Sequence, residues 1–172
     1  MEHLDQVIKS VTLIAQPEIE KATFLLTEVR DRGNSVWIVG NGGSAATASH
    51  FANDLCKMGG VKAFSLPDMT SLVSAHANDD GHGAMFSEPL KRMLNTNDVL
   101  VAISCSGNSE NVVNAAQFAM SIGCVVIAMT GNRPSRLSLL KPDVLIQAMA
   151  EHITVQEDIH MIACHAIARG IR

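Results

Sequence analysis

Residues 35–55, SVWIVGNGGSAATASHFANDL, decide the fold. Val36 to Val39 form an apolar run rich in β-branched residues. Gly40, Asn41, Gly42 and Gly43 then make a turn, and small residues with helical propensity follow from Ser44. A buried strand that feeds a helix reads this way. The strand's end and the helix's start meet at Asn41, Gly42, Gly43 and Ser44. Glycines there let the backbone turn sharply and bring a ligand close to bare N–H groups, and the helix adds unpaired donors and the positive end of its dipole. Such a place suits an anion. No Gly-Lys-Ser/Thr follows, so the stretch is not a P-loop, and Gly40, Gly42 and Gly43 miss the G-x-G-x-x-G spacing of dinucleotide sites. Taken alone, the turn also admits a role in packing only.

Residues 99–113, VLVAISCSGNSENVV, repeat the plan: an apolar strand, a hydroxyl-rich turn with a glycine, and a helix from Asn108 or Ser109. Ser104, Ser106 and Ser109 each offer a hydroxyl beside backbone donors, and no lysine is near, which suits a phosphomonoester held by neutral groups. Ser109 fits two roles, helix cap and ligand contact. Cys105 lies inside this turn, yet nothing in the local sequence supplies it with a base, and the cysteines at 56, 105, 124 and 164 lack C-x-x-C spacing. They read as small apolar residues of a reducing compartment.

Around these turns, strands are expected at 61–66, 124–129 and 144–148, and helices at 68–77, 87–94, 108–122, 136–140 and 154–168. Residues 1–32 read as one or two helices broken near Pro17. Their apolar positions exceed one stripe and call for a partner surface. The alternation gives an α/β fold, a doubly wound parallel sheet of the flavodoxin-like sandwich type with N-terminal helices, expected as one domain over 1–172. Ligands of such folds collect at the carboxyl ends of the strands, where both turns lie. At 47% hydrophobic content the chain has apolar material for a continuous core, while a net charge of −4 and 3% aromatics offer no nucleic-acid or anionic-membrane footprint. No apolar run reaches the roughly 18 residues of a membrane span. The N-terminus carries Glu2 and Asp5 with no apolar segment like that of a signal peptide, so the expected location is the cytoplasm.

Two acid–histidine pairs stand at helical spacing: His50 with Asp54 and Glu157 with His160, while His165 lies eight residues beyond Glu157. Lone helical histidines are commonly packed or solvated, but two such pairs in a small phosphate-binding domain are candidates for chemistry. The polar segment at 76–83, with His76, Asp79, Asp80 and His82, reads as a solvated turn more than as a metal loop.

The two turns, with His50-Phe51-Ala52 after the first, resemble the sugar isomerase (SIS) domain and, within it, the phosphoheptose isomerase branch, over nearly the whole chain. The resemblance implies interconversion of sedoheptulose 7-phosphate and a manno-type heptose 7-phosphate through an enediol. It implies substrate contacts at Asn41, Gly42, Gly43, Ser44, Asp79, Ser104, Cys105, Ser106 and Ser109. It also implies a metal, usually zinc, at positions matched by His50, Asp54, Glu157 and His165, and a homotetramer in which residues 1–32 pack between subunits. Asp54 stands where the family has glutamate, and Glu157 where it has glutamine, with Gln156 one position away. The expected roles are Asp54, or alternatively Glu157, as base and His165 as acid. Two rival readings are an isomerase of another sugar phosphate and a non-catalytic adaptor that keeps the fold.

Overall fold

The computed structural model describes residues 2–171. Among these, five parallel strands form one sheet: β1 (Ser35–Gly40), β2 (Lys62–Ser65), β3 (Val99–Ser104), β4 (Val125–Gly131) and β5 (Val144–Ala148), in the order β2-β1-β3-β4-β5. Register runs straight across the middle, with Val36 opposite Val99 and Val99 opposite Val125. The helices are α1 (Glu2–Val11), α2 (Gln16–Asp31), α3 (Gly43–Lys57), α4 (Thr70–Asp79), α5 (Ser87–Met93), α6 (Glu110–Ser121), α7 (Arg136–Leu139) and α8 (Ile153–Gly170).

Strand side chains alternate between two cores, as a sheet covered on both faces requires. Val36, Ile38, Val101 and Ile103 face the layer of α2, α3 and α8, where Leu26, Phe51, Leu55 and Ile167 are buried. Trp37, Val39, Leu100 and Ala102 face the layer that holds Leu90 of α5 and Val112 and Ala116 of α6. Each fully buried side chain of the Leu or Phe kind contributes about 1.5–3 kcal/mol. Truncating Leu55, which has no exposed surface, would cost about 2–5 kcal/mol.

The sheet makes its chain-order switch between β1 and β3, neighbours separated in sequence by β2. Strands splay their following loops apart at such a point and leave a crevice at their carboxyl ends. Both glycine-bearing turns open into it.

The N-terminal helices break at residues 12–15, near Pro17 as expected, although the proline itself sits in the first turn of α2. A proline there sacrifices no intrahelical hydrogen bond, and its fixed φ suits the helix start. Residues 76–79 of the expected turn are the end of α4, where His76 Nδ1 lies 2.7 Å from Asp80 Oδ2.

α1 docks on α8 through Val7, which packs near Val155 and Ile159, and on the loop before α8 through Ser10 Oγ donating to the Met149 carbonyl at 3.1 Å. His3 Nε2 lies 2.8 Å from Asp158 Oδ2. Its outer side leaves Leu4 and Ile8 about two-thirds exposed, and Phe24 of α2 is 63% exposed. No helix of the described residues is long and apolar enough to cross a membrane.

Candidate active site

The first turn owes its shape to glycine. Gly42 stands at φ 54° and ψ −121° immediately before α3, a conformation that L side chains rarely adopt. At Gly40 a Cβ would collide with the backbone of Ser44, so the helix starts tight against the strand's end. Asn41 is locked by a reciprocal amide pair with Asn111 of α6, each Nδ2 donating to the other's Oδ1 at 2.9 Å. The fully buried Asn111 is a residue that sequence reading missed, since only its partner 70 positions away reveals its use.

In the second turn the hydroxyls bond to one another. Ser104 Oγ donates to Ser109 Oγ at 3.2 Å, lies 3.4 Å from Ser106 Oγ, and accepts from the Gly107 N–H at 3.2 Å. The Asn108 N–H donates to Ser106 Oγ at 3.1 Å. Ser109 occupies the N-cap position of α6 yet makes no cap hydrogen bond, so its hydroxyl belongs to the cleft. Gly107 stands at φ 60° against Ser135, leaving no room for a Cβ.

Both turns and the start of α8 line a single crevice of about 200 Å³, with Asn41, Ser44, Ser104, Cys105, Ser106, Ser109 and Glu157 in its wall. Ser44 and the 104–109 segment thus stand together within one chain. Asp79 is not brought there. It is exposed at the end of α4 and accepts from its neighbour Asn78 at 2.7 Å.

Cys105 is held as a thiol, its pKa raised to about 11 chiefly by burial and then by the charge of Glu157, with a Ser44 contact offsetting part. Its Sγ is 3.8 Å from His160 Nδ1, while His160 Nε2 lies 3.0 Å from the Thr130 carbonyl oxygen. A carbonyl only accepts, so Nε2 carries the proton. Burial pushes the His160 pKa down to about 4, and the ring is neutral.

The expected Glu157–His160 pair is therefore not formed. The spacing would allow the pair, but each side chain is taken by another partner: His160 by the Thr130 carbonyl at the sheet rim, and Glu157 by Gly43, the first residue of α3, where a Cβ would strike its carboxylate.

The other pair does form and gains a third member. His50 Nε2 and His165 Nε2 each lie 3.5 Å from Asp54 Oδ2, and 3.4 Å from one another. Among the described residues these three are the group whose ligand atoms, all within 4.8 Å, could hold a metal ion. Glu157, expected to be the fourth member, stands outside it. The helical rise explains this, because the step from 157 to 165 carries about 12 Å along α8. Two ligand atoms about 2.0–2.1 Å from a tetrahedral zinc are separated by about 3.3–3.4 Å, so the observed spacings fit zinc with an open position. The Asp54 side chain is 11% exposed, against 51% for His50 and 45% for His165, so the carboxylate forms the floor and the imidazoles the rim.

α3 and α8 lie side by side and point the same way. Gly43 meets Glu157 at their starts, and His50 and Asp54 meet His165 further along. Helices that return a chain across one face of a parallel sheet must run in common direction. The serine crevice and the acid–histidine group thus sit at two levels of one helix pair, about 10–12 Å apart by helical rise.

The SIS domain family pattern matches residues 1–131. The chain is 32% identical to a phosphoheptose isomerase of Aliarcobacter butzleri over 174 aligned residues, covering 98% of this chain and 91% of that protein. It is 36% identical to the phosphoheptose isomerase of Helicobacter hepaticus, covering 96% and 85%. In structure it is similar to the phosphoheptose isomerase GmhA from Neisseria gonorrhoeae, with a TM-score of 0.93 at 30% identity over 99% of this chain and 96% of that one.

Proposed function

The chain belongs to the SIS domain family, among its phosphoheptose isomerases, and from this premise we propose that it interconverts sedoheptulose 7-phosphate and D-glycero-D-manno-heptose 7-phosphate. The observation that carries the reading is the pair of stations on α3 and α8, a hydroxyl-lined crevice at one level and an acid–histidine group at the other. An extended chain advances about 1.2 Å per single bond, so C2 of a heptose 7-phosphate stands about 8 Å from its phosphorus, against about 6 Å in a pentose 5-phosphate. A rise of about 10–12 Å between stations, shortened by the side chains reaching inward, favours the longer sugar.

Ser44, Ser104, Ser106 and Ser109 hold the phosphoryl oxygens, together with N–H groups of Gly42, Gly43 and the second turn, and Asn41 and Cys105 complete the wall. The anion is thereby fixed by neutral donors and a helix dipole. Anchored there, the sugar lays its carbonyl end toward Asp54 and His165. Asp54 takes the proton from the carbon beside the carbonyl, and His165 protonates the carbonyl oxygen. The enediol collapses with those roles reversed on the other carbon. Each such group contributes on the order of 10²- to 10⁴-fold. His50, Asp54 and His165 are the residues that would hold zinc; His165 Nε2 would then carry no proton, its acid role would pass to the ion, and the Asp54 oxygen left free would remain the base. When bound, the ion supplies polarisation of the substrate carbonyl.

Residues 1–172 act as a single SIS domain in this reading, and the exposed apolar side chains of 1–32 cover one another in a homotetramer. Asp79, remote from the crevice of its own chain, is then offered to the crevice of a neighbour. A negatively charged cytoplasmic protein that needs neither nucleic acid nor membrane completes the description.

The test is turnover of pentose, hexose and heptose phosphates by the purified chain, before and after chelation and with zinc restored. Heptose 7-phosphate is expected to be isomerised fastest, with activity lost on chelation and recovered with zinc. Faster turnover of a hexose phosphate would move the substrate assignment. Phosphosugar binding with no turnover of any substrate would make the protein an adaptor.

A further inference from the structure

Glu157 is the residue that the mechanism leaves without work, and its position is unusual. Its carboxylate lies against Gly43, the first residue of α3, in the wall of the crevice that receives the phosphoryl group. Its charge is also felt by the Cys105 thiol, which lines the same crevice. The carboxylate therefore occupies the helix end whose unpaired N–H groups and dipole attract an anion. No cation accompanies it: among the described ion pairs of α8, Asp158 has His3 and His165 has Asp54, while Glu157 has no partner.

Resting on the reading of this crevice as the phosphoryl site, we propose that Glu157 is an internal anion that competes with the phosphoryl group and keeps free inorganic phosphate out. Two negative charges within a few ångströms repel strongly where water is partly excluded. A ligand whose only handle is its phosphoryl group bears this repulsion in full. A phosphosugar bears the same repulsion but adds binding energy at the acid–histidine level, so it still fills the site at concentrations where phosphate alone does not. It also prevents the ground-state complex from being held too tightly by the anchor alone, where added affinity would not speed the chemical step.

Calorimetric titration of the full chain with inorganic phosphate, sedoheptulose 7-phosphate and unphosphorylated sedoheptulose tests this, comparing wild type, Glu157→Gln, Glu157→Ala and Ser104→Ala. Both Glu157 variants are expected to bind inorganic phosphate about 10- to 100-fold more tightly than wild type, the range for one partly screened charge pair. They are expected to leave sedoheptulose binding unchanged. Glu157→Ala clears the carboxylate without placing an amide against Gly43, so it serves if the glutamine variant melts early by circular dichroism. Equal or weaker phosphate binding in both variants, with Ser104→Ala still losing affinity, overturns the competitor role and leaves the phosphoryl site standing. Unchanged phosphate binding in Ser104→Ala would remove the site itself and the proposal with it.

Discussion

The two levels of the α3–α8 pair are built on opposite plans. At the first, Ser44 and Ser104 are 6% and 4% exposed, the hydroxyls are already bonded to one another, and glycine conformations fix the backbone. At the second, two imidazoles stand about half exposed over a buried carboxylate. A preformed anchor loses little entropy when the ligand arrives. The open group keeps side-chain freedom until a carbonyl, an ion or a neighbouring subunit closes over it. On the proposed reading, binding falls to the rigid turns and chemistry to the less constrained end, and each variant below asks whether the two are separable.

The largest effect should come from the open end. His165→Ala and Asp54→Asn are each expected to lower kcat by about 10²- to 10⁴-fold while leaving KM within a few-fold, because each removes a group used in the proton transfers and not in the anchor. Steady-state kinetics on heptose 7-phosphate read both parameters. A rise in KM with kcat preserved would place these side chains in ground-state binding and collapse the contrast between levels.

The next effect concerns stability. His160 is buried and neutral, its pKa displaced from 6.5 to about 4, so the unfolded chain binds more protons than the folded one between those values. Stability is then fully present above about pH 6.5 and is lost as pH falls toward 4, by up to about 3 kcal/mol. Denaturant melts across this range should show the slope in wild type and a flatter curve in His160→Gln. An unchanged slope would assign the acid loss to other groups.

Ser104→Ala should act at the anchored end. Its hydroxyl is the hub that touches Ser106, Ser109 and the Gly107 N–H, so truncation removes a phosphoryl donor and loosens the turn. Hydrogen bonds to charged groups contribute about 1.5–3 kcal/mol, which predicts KM raised by roughly 10- to 100-fold with kcat changed less. Equal losses in kcat and KM would show that the anchor also steers the reacting carbons.

What could be read from sequence follows the same division. The turns were legible because glycine and serine act through the local backbone, and the His50–Asp54 pair because four residues of helix bring side chains together. The meeting of His165 with that pair depends on how α8 lies beside α3, which no spacing within one helix contains. Glu157 and His160 were misjoined for a related reason. α8 is buried on several sides, so residues three apart face different neighbours, one the first residue of α3 and the other the rim of β4. Pro17 marks the helix break in the sequence because a proline suits the first turn of the helix that follows the break.

The smallest effect separates two roles that sequence left equal at Ser109. A serine whose side chain caps a helix contributes about 1 kcal/mol, which alanine removes. Ser109 stands at the cap position without making that bond, and its hydroxyl accepts from Ser104 within the second turn. Ser109→Ala should therefore leave thermal stability nearly unchanged and raise KM by less than about tenfold, since three other hydroxyls and the backbone donors persist. A drop in melting temperature with KM untouched would return Ser109 to the helix. The anchor would then be a smaller device, made of Ser44, Ser104 and Ser106.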